Sequence, residues 1–268
     1  MPAGDGPLVP PLLEFGNVSV FNGGRQVLDS LSFTLAEGEH IAILGPNGAG
    51  KSSLIKTITR EFYPLLEGRE VTFRIHGNDV WDVFELRSAF GIVSNDLQQA
   101  FTREITGREV VLSGFFSSVG LFNREIPEKM ERRADEILAF LEIGHISTKR
   151  MTEMSSGEAR RFLIGRALVH DPRTLILDEP TNSLDLHALH AFRQALRKIA
   201  QSGKGIILVT HNLPDIIPEI SRVILMKDGR FVQDGRKEDL LTDRHIGDLF
   251  EVPVHVRKAG GYYYAMEE

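Results

Sequence analysis

The sequence predicts an α/β fold with a mostly parallel sheet, an antiparallel β region on its N-terminal side, and an inserted helical region. Three observations carry this expectation. Two short, wholly apolar runs, in "RTLILDEP" and "KGIILVTH", have the composition of parallel strands buried on both faces. A glycine-rich stretch, "GPNGAGKS", joins a third apolar run to a helical pattern. From about Thr106 to Met151 the periodicity turns helical, and strands alternating with helices then resume.

Along the chain, "MPAGDGPLVPPLLEF" has no basic segment ahead of its apolar residues, and residues 1–11 read as a loose leader rather than a secretory signal. "LEFGNVSVF" and "LSFTLAEGEHIAIL" alternate like strands around a turn at Gly23-Gly24, and lead into a buried strand at His40–Leu44. "GPNGAGKSSLIKTITR" opens a helix whose buried side carries Leu54, Ile55 and Ile58. "REVTFRIHG" and "RSAFGIVS" read as further strands. In "PEKMERRADEILAFLEI", Pro127 suits a first helical turn, and Met130, Ala134, Ile137, Leu138 and Leu141 form one apolar stripe. Leu186, Leu189, Phe192, Leu196 and Ile199 stripe a second helix. "SRVILMKDGRFVQDGR" is a hairpin turning at Asp228-Gly229. "GGYYYAMEE" reads as a last strand with a frayed end, its tyrosines covering a sheet. The expected organisation is one domain over 12–268, with a helical subdomain inserted at about 100–160 and a C-terminal β/α extension at about 236–268.

Composition narrows the function classes. Of the 268 residues, 42% are hydrophobic and 25% charged, an ordinary balance for a soluble globular chain. The net charge of −6 argues against a mainly electrostatic grip on nucleic acid or anionic lipid, and no nucleic-acid partner is expected. With no cysteine, disulfides, thiolate catalysis and cysteine-ligated metals are excluded. No apolar run approaches the roughly 20 residues that cross a bilayer. The expected location is the cytoplasm. His170, His187 and His190 lack a matching acid-rich partner and do not read as a metal site.

The chemistry concentrates in a few stretches. In Gly45, Pro46, Asn47, Gly48, Ala49, Gly50, Lys51, Ser52 and Ser53, glycines let the backbone approach an anion while N–H groups at a helix start point toward it. Lys51 then reaches β- and γ-phosphates and the Ser52 hydroxyl coordinates Mg²⁺, the arrangement of a P-loop NTPase core. In "LILDE", Asp178 ends an apolar strand, where it can hold Mg²⁺ through water, and Glu179 can polarise an attacking water as general base.

"MSSGEARRFLIGRALVHDP", just upstream, resembles the signature motif of ATP-binding cassette (ABC) ATPases, with Met154 to Glu158 in its five places. The resemblance spans roughly Leu12 to Arg236. It implies a homodimer or pseudo-dimer of cassettes sandwiching two ATP·Mg²⁺, with Ser155 and Gly157 of one chain closing on the γ-phosphate held by the other. It places Asp185 of "NSLD" in the loop crossing that interface. His211 matches the switch histidine that contacts the γ-phosphate and orients the water, and Phe21 the aromatic residue that stacks on adenine. The family's glutamine that reaches Mg²⁺ and the water falls at "SNDLQQ". By count that position is Asn95, one methylene short, while Gln98 has the full-length side chain and is slightly preferred; the turn-forming alternative for Asn95-Asp96 stays open.

The expected function is therefore the ATP-hydrolysing subunit of a transporter whose membrane-spanning subunits are separate chains. The alternative is a soluble ABC ATPase driving assembly or repair, and a third reading is an ATP-gated module with little hydrolysis, against which Glu179 and His211 count. "VLSGFFSSVGLF" and "ARRFLIGRALVHDP" look similar to stand-alone molybdenum-type importer cassettes. Phe115, Phe116, Leu121 and Phe122 lie where the family meets its membrane subunits, and would form a docking patch if exposed.

Overall fold

The computed structural model describes residues 10–66, 70–82, 85–86, 89–94, 97, 100–101 and 104–267. Strands β1 (Leu13–Asn22) and β2 (Arg25–Leu35) form a hairpin. Gly23 and Gly24 at its tip both have positive φ, as the tight two-residue turn that matches strand twist requires. β3 (His40–Leu44) runs into the glycine-rich loop and α1 (Lys51–Ile58). β4 (Thr72–Ile75) pairs with β1, giving an antiparallel sheet of order β2-β1-β4.

The main sheet has six strands in the order β5-β6-β7-β3-β8-β9. These are β5 (Phe90–Val93), β6 (Thr174–Asp178), β7 (Gly205–Thr210), β3, β8 (Arg222–Lys227) and β9 (Arg230–Arg236). All neighbours are parallel except β8 and β9, an antiparallel hairpin turning at Asp228-Gly229. The reason the parallel strands read as unbroken apolar runs lies in their two cores. Ala42, Leu44, Leu175, Leu177, Ile206 and Leu208 face one hydrophobic cluster. Ile41, Ile43, Ile176, Ile207 and Val209 alternate onto the other, which packs α1 and the N-terminal sheet. Each such leucine, isoleucine or valine side chain contributes about 1.5–3 kcal/mol when fully buried.

Between β5 and β6 lie α2 (Gly107–Ser113), α3 (Glu128–Phe140) and α4 (Ser156–Leu168). Pro127 caps α3, and Ala134, Ile137, Leu138 and Leu141 are buried as the stripe predicts, with Met130 packed at the edge. α5 (Leu186–Gln201) follows β6 and buries Phe192, Leu196 and Ile199. Its expected stripe fails at one end: Leu186 is 86% exposed. It is the first helical residue, and its Cβ tilts toward the helix N-terminus, past the edge of the core.

After β9 come α6 (Lys237–Leu240), α7 (Asp243–Phe250), and the hairpin β10 (Val254–Ala259) with β11 (Tyr262–Glu267). The tyrosine run does form a strand, but among the described residues it pairs with β10 alone, in a two-stranded sheet. The end expected to fray is held in the ladder, with Glu267 opposite Val254. Tyr263 at 6% exposure anchors the hairpin on the main core, which is why the strand persists.

Candidate active site

Strand register brings the predicted residues together. Leu44 of β3 lies opposite Thr210 of β7, and Val209 opposite Asp178 of β6. Gly45, His211 and Glu179, each one residue past these strand ends, therefore leave the sheet at one level. That is the carboxyl edge, where open α/β sheets place their ligands. β5 ends in register too, Val93 opposite Leu177. Asn95 and Gln98, beyond it, lie outside the described residues; Ser94, which is described, accepts a hydrogen bond through Oγ from Leu97 N at 3.3 Å.

The loop from Gly45 to Gly50 is shaped by what glycine lacks. A Cβ on Gly45 would sit 2.1 Å from the Met226 carbonyl oxygen, and one on Gly50 would sit 2.8 Å from that of Val27. Gly50, at φ 102°, caps α1 with no side-chain hydrogen bond. Ala49 is buried, whereas Asn47 and Gly48 are exposed at the mouth. Lys51 is 6% exposed, and its Nζ donates to the carbonyl oxygens of Gly45 (2.8 Å) and Pro46 (3.0 Å). The ammonium is thus fixed beside the loop and lies 3.3 Å from Glu179 Oε1. The other carboxylate oxygen of Glu179 is 2.6 Å from His211 Nδ1. Glu179 holds this position with φ 46°, an uncommon conformation for a residue with a side chain and one that clusters at functional sites.

Asn47, Gly48, Gly50, Lys51, Ser52, Ser53 and Glu179 line a cavity of about 410 Å³. Five further residues complete its wall: Arg25, Gln26 and Val27 of β2, and Asp228-Gly229 of the β8–β9 turn. Gly229 N donates to Ala49 O at 2.9 Å, so this turn braces the loop directly. None of the five belongs to a nucleotide-binding sequence motif, because they approach the loop only through tertiary packing. Phe21, near the end of β1, is 48% exposed and is not part of the core.

The hydroxyl of Ser52 and the carboxylate of Asp178 are hard oxygen donors suited to magnesium, which takes one or two protein groups and fills its shell with phosphate and water. Among the described residues no group of three or more His, Cys, Asp or Glu could hold a metal alone. Arg160 of α4 is 2% exposed; burial pushes its guanidinium down to about 10, and the charge of Asp178 pulls the other way. α4 is thereby coupled electrostatically to the β6 end.

The remaining motif residues stand at helix starts. Ser155 caps α4 through Oγ from Glu158 N (3.2 Å), and Glu158 answers by accepting from Ser155 N (2.7 Å). Gly157 is required by packing, since a Cβ there would meet that of Ala188 at 2.4 Å. Asp185 caps α5 by accepting from Ala188 N at 2.7 Å.

Residues 28–182 match the family model described as ABC transporter. The chain is similar to the ABC transporter ATP-binding protein YlmA of Bacillus subtilis, at 32% identity over 91% of this chain and 93% of that protein. It is 36% identical to the Nod factor export ATP-binding protein I of Sinorhizobium fredii, over 90% of this chain and 67% of that protein. Among solved structures, a dimeric ATP-binding cassette in a post-hydrolysis state, bound to ADP and Pi, superposes with a TM-score of 0.65. Its identity is 27%, over 84% of this chain and 98% of that one. The chain belongs to the ABC transporter family, as an ATP-binding and ATP-hydrolysing cassette.

Proposed function

We propose that two copies of this cassette, or one copy and a related one, close head to tail around two ATP and drive separate membrane-spanning subunits. One observation carries the reading: Glu179 stands between Lys51 and His211, at 3.3 and 2.6 Å, at the mouth of the glycine loop. In this mechanism the loop's N–H groups and Lys51 hold the β- and γ-phosphates. Glu179 takes the proton of a water that attacks the γ-phosphorus in line, and His211 orients that water and contacts the γ-phosphate. Ser52 and Asp178 would hold Mg²⁺, which supplies charge neutralisation at the phosphates. Phe21, half exposed, offers its ring to adenine. Ser155 and Gly157 of the partner copy meet the γ-phosphate, and Asp185 lies in the loop at that interface. The metal-reaching amide falls to Asn95 or Gln98.

We take residues 12–268 as one cassette, with the helices at about 100–160 as the lobe facing the membrane subunits and 236–268 as an extension. Among the aromatic residues of that lobe, Phe122 is 59% exposed. Phe116 lies under the Arg124 guanidinium (4.7 Å) and Phe115 against His170. The docking surface therefore centres on Phe122 rather than on the whole run. No helix among the described residues is long and apolar enough to cross a membrane, so in this reading attachment comes through partners. The resemblance to molybdenum-type importer cassettes rests on two similar stretches alone and assigns no cargo, because this polypeptide touches ATP and partner proteins.

A tagged Glu179→Gln variant tests the proposal. Expected is an ATP-bound dimer with little turnover, retrieving a membrane subunit identifiable by mass spectrometry. Normal hydrolysis by the variant would remove Glu179 as the base. Reproducible absence of a membrane subunit would favour the soluble ATPase.

A further inference from the structure

A buried carboxylate that belongs to no phosphate-binding motif lies behind the reaction site. Asp215 is 4% exposed, in the short helical turn Leu213–Asp215 that follows His211. The hydroxyl of Thr210, itself fully buried, donates to Asp215 Oδ2 at 2.5 Å. Thr210 Oγ1 in turn accepts from Asn212 N at 3.0 Å. Both chain neighbours of His211 are thus bonded into one relay that ends on Asp215. Thr181, two residues past Glu179 and 9% exposed, faces the same carboxylate and favours its charged form. One buried group therefore braces the end of β7, which carries His211, beside the loop after β6, which carries Glu179.

The surroundings reinforce this bracket. Glu179 N donates to Val209 O at 2.8 Å, and His211 N approaches Glu179 Oε2 at 3.4 Å. From outside, Arg193 of α5 hydrogen-bonds through Nη2 to the Pro214 carbonyl, and stacks its guanidinium 4.3 Å from the Tyr262 ring. Burial pushes the Asp215 carboxyl up, the Thr210 and Thr181 hydroxyls oppose that shift, the Glu179 charge adds to it and Arg193 opposes it. A hydroxyl donor bonded to a buried carboxylate is costly to orphan, so the Thr210–Asp215 connection resists breaking.

We propose that Asp215 is a positioning residue for ATP hydrolysis, holding His211 in reach of Glu179 by clamping the end of β7 through Thr210. It touches neither water nor phosphate; it sets where the groups that do so stand. This rests on the reading of Glu179 and His211 given above.

The test measures kcat and ATP dissociation constants for the full chain and its Asp215→Ala, Asp215→Asn, Thr210→Val, Thr210→Ser and Glu179→Gln variants. Outer-shell partners of this kind commonly support activity about 10- to 100-fold, and that is the expected loss of kcat in Asp215→Ala and Thr210→Val. ATP affinity should hardly move, because the phosphate loop is untouched. Thr210→Ser keeps the hydroxyl and should recover most of the rate. Asp215→Asn should fall between, its amide oxygen still accepting one hydroxyl. Should Asp215→Ala not fold, the Thr210 pair carries the test. Wild-type kcat in Thr210→Val would overturn the proposal, as would a joint fall of kcat and ATP affinity that Thr210→Ser does not rescue. Full turnover by Glu179→Gln would instead sink the reading of the pair, and this inference with it.

Discussion

Helices α1 and α4 both open on a Gly/Ser-rich turn, yet the two starts are built differently. α1 is capped by Gly50 in a left-handed conformation, with no side-chain hydrogen bond and no acid in its first turn. Around it the same chain supplies a cavity wall, a cation in Lys51 and a carboxylate in Glu179. α4 carries a reciprocal cap between Ser155 and Glu158, with Lys149 at 2.9 Å from the Glu158 carboxylate and both serines exposed. A helix start leaves N–H groups that something must satisfy. α1 is shaped for an external anion, whereas at α4 the chain satisfies part of that demand itself. In the proposed dimer, α4 meets a nucleotide only when a second cassette brings one. An internal cap suits a helix that must stay stable until then.

The sharpest way to break this comparison is at Lys51. Charge-assisted hydrogen bonds contribute about 1.5–3 kcal/mol, so Lys51→Ala should weaken ATP binding by a single cassette about 10- to 100-fold. Calorimetry on the isolated chain measures it. Retained affinity would mean that α1's start and its loop are not the principal phosphate site, and the contrast with α4 would collapse.

Next in size is Gly157→Ala. The added methyl would collide with Ala188 at 2.4 Å and stand 3.2 Å from its Cα, so backbone must shift. Overpacking of this kind costs about 1–3 kcal/mol, read as a lower midpoint in urea unfolding. If the variant were as stable as wild type, the glycine would be there for the approach of a phosphate alone, and α4 would resemble α1 more than the packing suggests.

That glycine marks the boundary of what was legible in the sequence. The loop and the Asp178-Glu179 strand end could be read from residues alone, because each pairs a local pattern with a position at the end of an apolar run, whereas His211 was singled out only by the family resemblance. The parallel sheet was legible for the same reason: residues buried on both faces must be continuously apolar. Arg25, Gln26, Val27 and Asp228 carry no such pattern, and reach the cavity only because β2 and the β8–β9 turn fold over the loop. Gly157 was read for its motif, while its contact with Ala188 depends on how two helices cross. Thr181, Thr210 and Asp215 look like ordinary turn and strand residues until burial places them together. Leu186 fits the helical stripe by spacing, but spacing does not say where a core stops.

The smallest expected effect is a difference in pH response between the two helix starts. The Lys149 ammonium, then the Ser155 N–H, hold the Glu158 carboxyl below its ordinary value of 4.5. A carboxyl lowered on folding contributes stability that is fully present above its unfolded value and lost as pH falls through the lowered one. α4's cap should therefore hold at neutral pH and weaken only on the acid side of 4.5. Glu158 keeps 22% of its side chain exposed, so solvent screening limits the contribution to a fraction of a helix cap's usual value of about 1 kcal/mol. α1, with no acid in its first turn, has no equivalent group to protonate. Hydrogen exchange at the Ser155 and Glu158 amides, followed downward from neutral pH and corrected for the intrinsic rate, should lose protection below 4.5 while the first turn of α1 does not. Parallel loss in both helices would mean that acid acts through the whole cassette and not through this cap. Unchanged protection at Glu158 would show that Ser155 alone holds the start of α4.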